Sequence, residues 1–588
     1  MRQKPNAAEG IREATRLLLR GECERARRIL ARAIKSAPEN AALLTRLGDA
    51  LYGAERVAEA REAYRRALAV DAHQVQAWYG CGMADYAFAE YARAIECLRR
   101  SVELAPRDMD ARIWLGRALF GLGELDAAME EWGAGAKSRD ARERATALRL
   151  IASLIPQSLQ HGNAEVLRVR RRWAKMAARS EHARHLPLAV KTRRGRKLRI
   201  GYVSSFFHHR NWMKPVWGVI NEHERAAFEI HLFADQGLPS AKSGYARVSD
   251  DRVYDITRQT NAEAAQGIAK AGIDVLVDLN GYGSPERLGI FMRKPAPVVM
   301  GWFNMFATTG ISEFDYIVGD PAVIPAAEER FYSERVLRVS GSYIAFRVLY
   351  PVPDVAPPPC VSAGHLTFGC LAPQYKITEE MIKAWSEILR AAPGTRLLLK
   401  STCLEQAANR AAVGERFASQ GVGAERLLLE PPAEHYRFLK AYARVDIALD
   451  TFPYNGGTTT SEALWQGVPV LAFDGDRWVS RTSKSLLLAA GMSDWVRASK
   501  EDYVRRAVEL ANSRETPELL AKMRAGMRER LLASKACDAR GLCRELEAHY
   551  VRGAESAGRP AGTKGGANGA QDRTSGTGRE AGEPARMG

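Results

Sequence analysis

The sequence predicts an α-helical solenoid followed by two doubly wound α/β lobes, on three observations. The first 140 residues repeat with a period of 34, short apolar segments alternate with amphipathic helices from residue 198 onward, and a proline-rich break at 350–359 divides that second region into two series. A chain of 588 residues exceeds what one hydrophobic core of up to about 300 residues supports. Several modules are therefore expected.

The period of 34 is visible in columns of small residues. Alanine and glycine each recur at one position of the repeat, at Ala26, Ala60, Ala94 and Ala128 and at Gly48, Gly82 and Gly116. This spacing is typical of tetratricopeptide repeats. Small residues allow two helices of a hairpin to approach closely, and larger residues fill the rest of the interface. We predict about four helical hairpins over 1–140, whose concave face is expected to bind a protein or peptide.

Residues 141–196 keep a helical composition but lose the repeat, which predicts a helical connector. It is basic, because thirteen Lys or Arg residues between Arg168 and Arg199 stand against one acid, Glu181, and they supply most of the formal charge of +17. Such a stretch could contact phosphate or an acidic partner. A solvated helix and linker is the simpler interpretation. Nucleic acid is not an expected partner, since no nucleic-acid-binding module is recognisable.

The remaining chain reads as parallel βαβ units. Strand candidates occur at 198–204, 228–234, 274–280, 297–303 and 314–320, and after the break at 366–372, 396–402, 426–432, 446–452 and 469–475. They predict one lobe over 197–355 and a second over 360–552, with a ligand cleft outside the carboxyl ends of the strands. Residues 553–588 lack apolar periodicity and are predicted to be disordered.

Several classes of protein are disfavoured by composition. No apolar run approaches the ~20 residues of a membrane span, and the first 22 residues lack a secretory apolar region, so the cytoplasm is the expected location. The eight cysteines are scattered, which indicates neither a disulfide framework nor a zinc site. We expect no metal and no cofactor.

The segment 450–470 is the most informative for function. A buried strand is expected to end at Asp450, an Asn-Gly-Gly turn follows, and Thr458, Thr459 and Thr460 open a helix. Backbone N–H groups and hydroxyls at a helix N-terminus suit a diphosphate. Glu462, one turn further, could accept hydrogen bonds from ribose hydroxyls. The alternative is an ordinary helix capped by threonine.

The segment DTFPYNGGTTTSEALWQGVPV resembles the nucleotide-sugar signature of the O-GlcNAc transferase and Spindly family, glycosyltransferase family 41. The similarity extends over about 197–550 and includes LRIGYVSSFF, DVLVDLNGYG and TFGCLAPQYKITEEMIKAWSEIL. It implies a GT-B fold of two Rossmann-like lobes and an inverting, metal-independent transferase. The implied reaction moves GlcNAc from UDP-GlcNAc to Ser or Thr hydroxyls of a protein captured by the repeats.

The resemblance also implies roles for individual residues. Lys376 matches the family lysine that contacts the donor diphosphate, Thr458 and Thr459 match its diphosphate-binding threonines, and Glu462 matches its ribose-binding acid. Gln374 is a weaker candidate for the same pocket.

Two further residues are candidates for the donor site. His435 lies near a family histidine that contacts the nucleotide, although Phe438 is a competing alignment. Arg481 is a candidate for helping to neutralise the diphosphate.

The catalytic position departs from the family. Relatives commonly carry a histidine about nine residues after the glycine equivalent to Gly201, whereas this chain has Arg210, preceded by His208 and His209. A histidine could accept the proton of the acceptor hydroxyl, so His209 is the predicted substitute. Arg210 is the alternative, as a contact to donor phosphate.

Four residues at predicted strand ends are candidates for the acceptor or sugar pocket. These are Asn280, Tyr282, Thr308 and Thr309. Stabilisation of a turn by Asn-Gly is the simpler explanation for the first of these segments.

Three alternatives remain at the level of the sequence. The donor could be GDP-fucose, since Spindly relatives are implied to use it. The chain could be a non-catalytic repeat scaffold with a relic transferase domain, which the missing histidine favours. The acceptor could also be a lipid-linked or capsular sugar.

Overall fold

The repeat array consists of four antiparallel helical hairpins. The computed structural model describes residues 7–188 and 195–557. The eight helices of the array are α1 (Ala7–Leu19), α2 (Cys23–Ile34), α3 (Ala41–Gly53), α4 (Val57–Val70), α5 (Val75–Ala87), α6 (Tyr91–Leu104), α7 (Met109–Gly121) and α8 (Leu125–Gly135). Consecutive helices pack side by side along the array. The predicted α-solenoid is confirmed.

The glycine column explains the close approach of the helices. A Cβ at Gly48 would overlap the ring of Tyr64, and one at Gly116 would overlap the indole of Trp132. Gly82 meets Leu98 in the same way. The large residue and its opposing glycine therefore repeat together with the period of 34.

The turn inside each hairpin has the same backbone conformation in all four repeats. Gly21, Glu55, Ala89 and Gly123 lie 34 residues apart and all adopt a positive φ, between 56° and 89°. Two of the four are not glycine, although L side chains rarely adopt this conformation. The fold therefore fixes this turn geometry in every repeat.

The connector contains two helices, α9 (Ala141–Leu154) and α10 (Asn163–Ser180). Arg170 of α10 is buried and donates hydrogen bonds to the carbonyls of Ala152 and Thr308, which ties the connector to the first lobe. Arg171 and Arg172 are exposed. The basic residues at 191, 193 and 194 lie outside the described residues.

The first lobe is a seven-stranded parallel sheet in the order β3-β2-β1-β4-β5-β6-β7. Its strands are β1 (Leu198–Ser204), β2 (Phe228–Ala234), β3 (Arg252–Asp255), β4 (Val275–Asp278), β5 (Val298–Gly301), β6 (Tyr316–Gly319) and β7 (Arg335–Arg338). Its helices are α11 (Arg210–Asn221), α12 (Asn261–Ala271) and α13 (Leu288–Phe291). The central strands are buried on both faces, as parallel strands covered by helices are.

The second lobe is a six-stranded parallel sheet in the order β10-β9-β8-β11-β12-β13, the doubly wound order of a dinucleotide-binding domain. Its strands are β8 (Thr367–Cys370), β9 (Arg396–Lys400), β10 (Leu427–Glu430), β11 (Ile447–Leu449), β12 (Val470–Phe473) and β13 (Val496–Arg497). Its helices are α14 (Cys360–Ala363), α15 (Glu379–Ala391), α16 (Ala407–Ala418), α17 (His435–Lys440), α18 (Thr458–Trp465), α19 (Thr482–Ala489), α20 (Lys500–Asn512) and α21 (Thr516–Leu532). The predicted pair of α/β lobes is confirmed.

The last helix of the described residues, α22 (Ala539–Ala557), returns to the first lobe. The hydroxyls of Tyr550 and Tyr202 are 3.0 Å apart, and Glu547 Oε1 lies 2.9 Å from His223 Nδ1. The sequence predicts that residues up to 552 belong to the second lobe, whereas this helix packs on the first lobe. Residues 553–557 are helical rather than disordered, and the rest of the predicted tail lies outside the described residues.

None of the helices in the two described ranges has the length and apolar character needed to cross a lipid bilayer.

Candidate functional site

A cleft of about 370 Å³ lies between the two lobes. Asn211, Trp212 and Phe306 of the first lobe face Tyr454 of the second across it. Five of the predicted donor-site residues line this cleft: Lys376, His435, Thr458, Thr459 and Glu462. The topology brings them together because the loops that carry them all follow carboxyl ends of parallel strands.

Lys376 is buried at the base of the cleft. Its Nζ donates a hydrogen bond of 2.7 Å to the carbonyl of Asn455 and lies 3.5 Å from the ring centroid of Tyr454. Burial lowers the pKa of this lysine from 10.5 to about 8, opposed by the nearby Asp450 carboxyl. A buried ammonium held by a carbonyl and a ring has unused capacity for an anion.

The loop before α18 places the start of that helix at the cleft. Asp450 Oδ1 accepts a hydrogen bond of 2.8 Å from the N–H of Gly456, and a Cβ at Gly456 would overlap Thr460 Oγ1. The N-terminus of α18, with Thr458 and Thr459 in the cleft lining, therefore points into the cavity.

Three predicted donor-site residues do not line the cleft. Thr460 is buried with its hydroxyl 2.9 Å from Ser483 Oγ, so it joins α18 to α19. Arg481 donates to Glu328 Oε1 at 2.8 Å, which places it in an ion pair between the lobes. Gln374 is buried beside Lys376, and its side-chain amide has no hydrogen-bond partner among the described residues.

Lys214 is a site residue that the sequence reasoning missed. It lies on α11 of the first lobe, is 3% exposed, and forms an ion pair across the cleft with Glu462, the predicted ribose acid. Its Nζ also lies 2.6 Å from His435 Nε2 and 4.3 Å from the ring centroid of Tyr350. A lysine inside the apolar run Met213–Ile220 was the available signal, because a charge on a buried helix face requires a partner.

The surroundings of Glu462 and His435 are thus assembled from both lobes. Burial, and then the charges of Lys214 and Arg210, lower the pKa of His435 to about 4. His435 is therefore neutral near pH 7 and can accept a hydrogen bond from Lys214 through Nε2. Burial raises the pKa of Glu462 and lowers that of Lys214, while their mutual attraction opposes both shifts.

The predicted catalytic pair lies beside the cleft. His209 immediately precedes α11 and is exposed, with its ring 4.0 Å from that of His208. Arg210 is exposed and its guanidinium lies 5.6 Å from the ring centroid of Tyr350. Neither lines the cavity, although the next residue, Asn211, does.

The predicted acceptor-pocket residues are structural in this fold. The Tyr282 hydroxyl donates to the carbonyl of Thr309 at 2.7 Å, and its ring lies 3.9 Å from the guanidinium carbon of Arg170. Thr308 and Thr309 both donate through their hydroxyls to Glu334. This network holds the connector to the first lobe and does not line the cleft.

Asn280 is also buried away from the cleft. Its Oδ1 accepts a hydrogen bond of 2.8 Å from the N–H of Ser205, while its Nδ2 has no partner among the described residues. The amide therefore joins the loop after β4 to the loop after β1.

The first-lobe wall of the cleft has an unusual backbone. Phe303, Asn304 and Phe306 line the cavity and adopt φ values of 57°, 54° and 53°. Such conformations are uncommon for residues other than glycine and cluster at functional sites. The Phe306 ring lies 5.1 Å from that of Tyr454, which closes this side of the cleft.

Fold and cleft together define a class of protein. A helical-repeat array precedes two Rossmann-like lobes, and a buried lysine and a helix N-terminus face each other at the interlobe cleft. This is the architecture of a repeat-bearing GT-B protein.

The family follows from comparison with known sequences. The model of glycosyl transferase family 41 matches residues 176–346 and 363–546, which is more than half of the chain. The tetratricopeptide repeat model matches residues 11–77 and 79–146. The chain belongs to glycosyl transferase family 41, as the resemblance indicated.

Several curated relatives are similar to the chain. The probable UDP-N-acetylglucosamine–peptide N-acetylglucosaminyltransferase SPINDLY of Solanum lycopersicum is 29% identical over 372 residues, covering 60% of this chain and 38% of that protein. The corresponding SEC protein of Arabidopsis thaliana is 28% identical over 346 residues, covering 57% and 35%. The chain thus spans less than two fifths of the length of these relatives.

A solved structure is similar over nearly the whole chain. A mutant O-GlcNAc transferase of Thermobaculum terrenum superposes with a TM-score of 0.68 at 29% identity, covering 95% of this chain and all of that one. This likeness extends over the array and both lobes.

Proposed function

We propose that the chain is a protein O-GlcNAc transferase that moves GlcNAc from UDP-GlcNAc to a Ser or Thr hydroxyl. The observation that carries the proposal is the position of Lys376 beside the N-terminus of α18 in the interlobe cleft. Two sources of positive potential then meet at one point, where the leaving diphosphate would lie. The relatives named as N-acetylglucosaminyltransferases support the choice of donor.

The proposed reaction is an inverting displacement. The acceptor oxygen bonds to the anomeric carbon of GlcNAc, the bond from that carbon to the diphosphate oxygen breaks, and UDP leaves with the electron pair. Lys376, Thr458 and Thr459 would stabilise the charge on UDP without a metal. Glu462 would hold the ribose hydroxyls, in exchange for part of its ion pair with Lys214.

The acceptor proton requires a base. His209, which immediately precedes α11 and lies two residues before the cleft residue Asn211, remains our prediction for this role. Arg210 remains the candidate for a phosphate contact. We further propose that the array captures the protein acceptor and that the cytoplasm is the site of action.

The test is a pair of measurements on the purified chain. Calorimetry with UDP-GlcNAc, UDP, GDP-fucose and GDP, on wild type and Lys376→Met, would identify the nucleotide. Mass spectrometry of a peptide library incubated with the preferred donor in excess EDTA would detect transfer. Uridine-selective binding that the variant weakens, with EDTA-resistant transfer, is expected. Selective binding of GDP ligands would indicate GDP-fucose as the donor. If none of the four ligands binds, the chain would instead be a non-catalytic repeat scaffold.

A further inference from the structure

The fourth repeat of the array lies directly on the turn that carries Lys376. The ring of Phe120, near the end of α7, stacks on Tyr375 with centroids 5.0 Å apart and planes at 27°. Gly123 follows in the hairpin turn, and a Cβ there would overlap the carbonyl oxygen of Ile377 and lie 3.0 Å from that of Gln374. The array therefore contacts the donor-lysine turn on both sides of Lys376.

The contact continues into the cleft through aromatic rings. Tyr375 and Tyr454 have centroids 6.2 Å apart, and Tyr454 lies beneath the Lys376 ammonium at 3.5 Å. Both tyrosines line the cavity. A displacement of Phe120 would thus be passed through Tyr375 to Tyr454, the ring that contacts the Lys376 ammonium.

Hydrogen bonds between side chains of the second lobe and the backbone of the array hold the array in this position. Arg416 of the second lobe donates to the carbonyl of Leu122 at 2.9 Å. Asn409 donates to the carbonyl of Ala89 at 2.7 Å and accepts from the N–H of Ala92 at 3.0 Å. The third and fourth repeats are therefore docked on the lobe by specific polar contacts.

The other repeats show that this contact is a property of the fourth. Gly21 occupies the equivalent turn position in the first repeat with φ 73°, and an added Cβ would meet nothing within 4 Å among the described residues. Glu55 and Ala89 carry a Cβ at this position in the second and third repeats. The array itself thus supplies a matched control.

We propose that Phe120 and Gly123 are positioning residues for the donor site, holding the turn Gln374–Lys376 so that the lysine faces the diphosphate. This rests on the proposed function in one respect, the role of Lys376 on the diphosphate. The repeat array then has a second task besides any capture of an acceptor, because its last repeat completes the donor site.

The test compares Gly123→Ala with Gly21→Ala in the full chain. Both changes introduce the same left-handed strain, but only the first pushes on the Ile377 carbonyl. We expect Gly123→Ala to weaken UDP binding at least fivefold and uridine binding less than twofold, because uridine lacks the diphosphate. Gly21→Ala should change neither by more than twofold. Equal behaviour of the two variants toward UDP would overturn the proposal.

A second readout needs no nucleotide. The amides of Lys376 and Ile377 are hydrogen-bonded to the carbonyls of Pro373 and Gln374, and their hydrogen exchange in the ligand-free protein should accelerate only in Gly123→Ala. If the wild-type protein binds no nucleotide, the proposed function fails, but the exchange measurement still tests whether Gly123 positions the lysine turn. Unchanged exchange of these two amides in Gly123→Ala would refute that positioning role. Should Gly123→Ala not fold, the pair becomes Phe120→Leu in the fourth hairpin and Tyr52→Leu at the equivalent position of the second hairpin, two repeats earlier, with the same results required.

Discussion

Binding of a diphosphate at Lys376 should depend on pH in a predictable direction. Burial lowers the pKa of this lysine from 10.5 to about 8 in the ligand-free protein. At about 1.4 kcal/mol for each pKa unit, holding the ammonium charged costs about 3.5 kcal/mol. A bound diphosphate would restore much of that, so the pKa of Lys376 should rise on binding. UDP then binds with uptake of a proton above about pH 8.

The magnitude follows from these two states. If the bound lysine stays charged, affinity falls as the free lysine loses its proton, which amounts to roughly eightfold between pH 7.5 and 9. The effect on folding has the opposite sense. The cost of the buried charge is fully present below about pH 8 and is relieved as the pH rises toward the unfolded value, so Lys376 favours unfolding most near neutral pH.

The assay is isothermal calorimetry with UDP at several values of pH between 7.5 and 9. Lys376→Met keeps most of the apolar stem and should lower UDP affinity at pH 7.5 by roughly ten- to hundredfold. Protonation of UDP itself affects binding to both proteins equally. The difference between their pH profiles therefore gives the contribution of Lys376 alone. A difference below twofold across the range, or an unaltered affinity in the variant, would refute the reasoning.

Three other outcomes are expected. Lys214→Met should destabilise the fold by about 3–5 kcal/mol because it leaves the buried Glu462 carboxylate without its partner. Adding Glu462→Gln should recover part of the resulting shift in urea midpoint. No recovery would contradict a buried ion pair between the two residues. Thr458→Val, which removes one hydroxyl from the cleft lining, should weaken UDP binding by about threefold to tenfold in calorimetry with an unchanged melting temperature. Gly48→Ala should destabilise the fold by about 1–3 kcal/mol through overlap with the facing helix and so lower the melting temperature, whereas Gly133→Ala, whose Cβ meets nothing within 4 Å in the described part of the chain, should raise it.

The sequence predicts the repeats and the central strands well because both depend on regular local patterns. Small residues at a fixed period and continuous apolar runs are each sufficient for that purpose. The strands that the patterns miss are β3, β7 and β13, which lie at or near the sheet edges. Residues such as those of Arg252–Asp255 are largely exposed and polar, so no apolar run marks them.

The donor side of the site could be predicted because its residues fall in one or two continuous segments. The acceptor side could not, because position at a strand end does not determine the direction of a side chain. Thr308 and Thr309 follow such a strand, yet they turn toward Glu334 and the connector. Lys214 could not be assigned from the sequence either, because its partner Glu462 lies 248 residues away in the chain. Only the packing of the two lobes brings these side chains together.

The return of α22 to the first lobe makes that lobe discontinuous in the chain. Its core includes Leu546 and Tyr550 together with Ile200 and Tyr202 of β1, so the earlier strands lack part of their covering until the last helix has been synthesised. The second lobe is contiguous and can bury its own core first. On the ribosome, the first lobe is therefore expected to mature last, although its strands emerge before those of its neighbour.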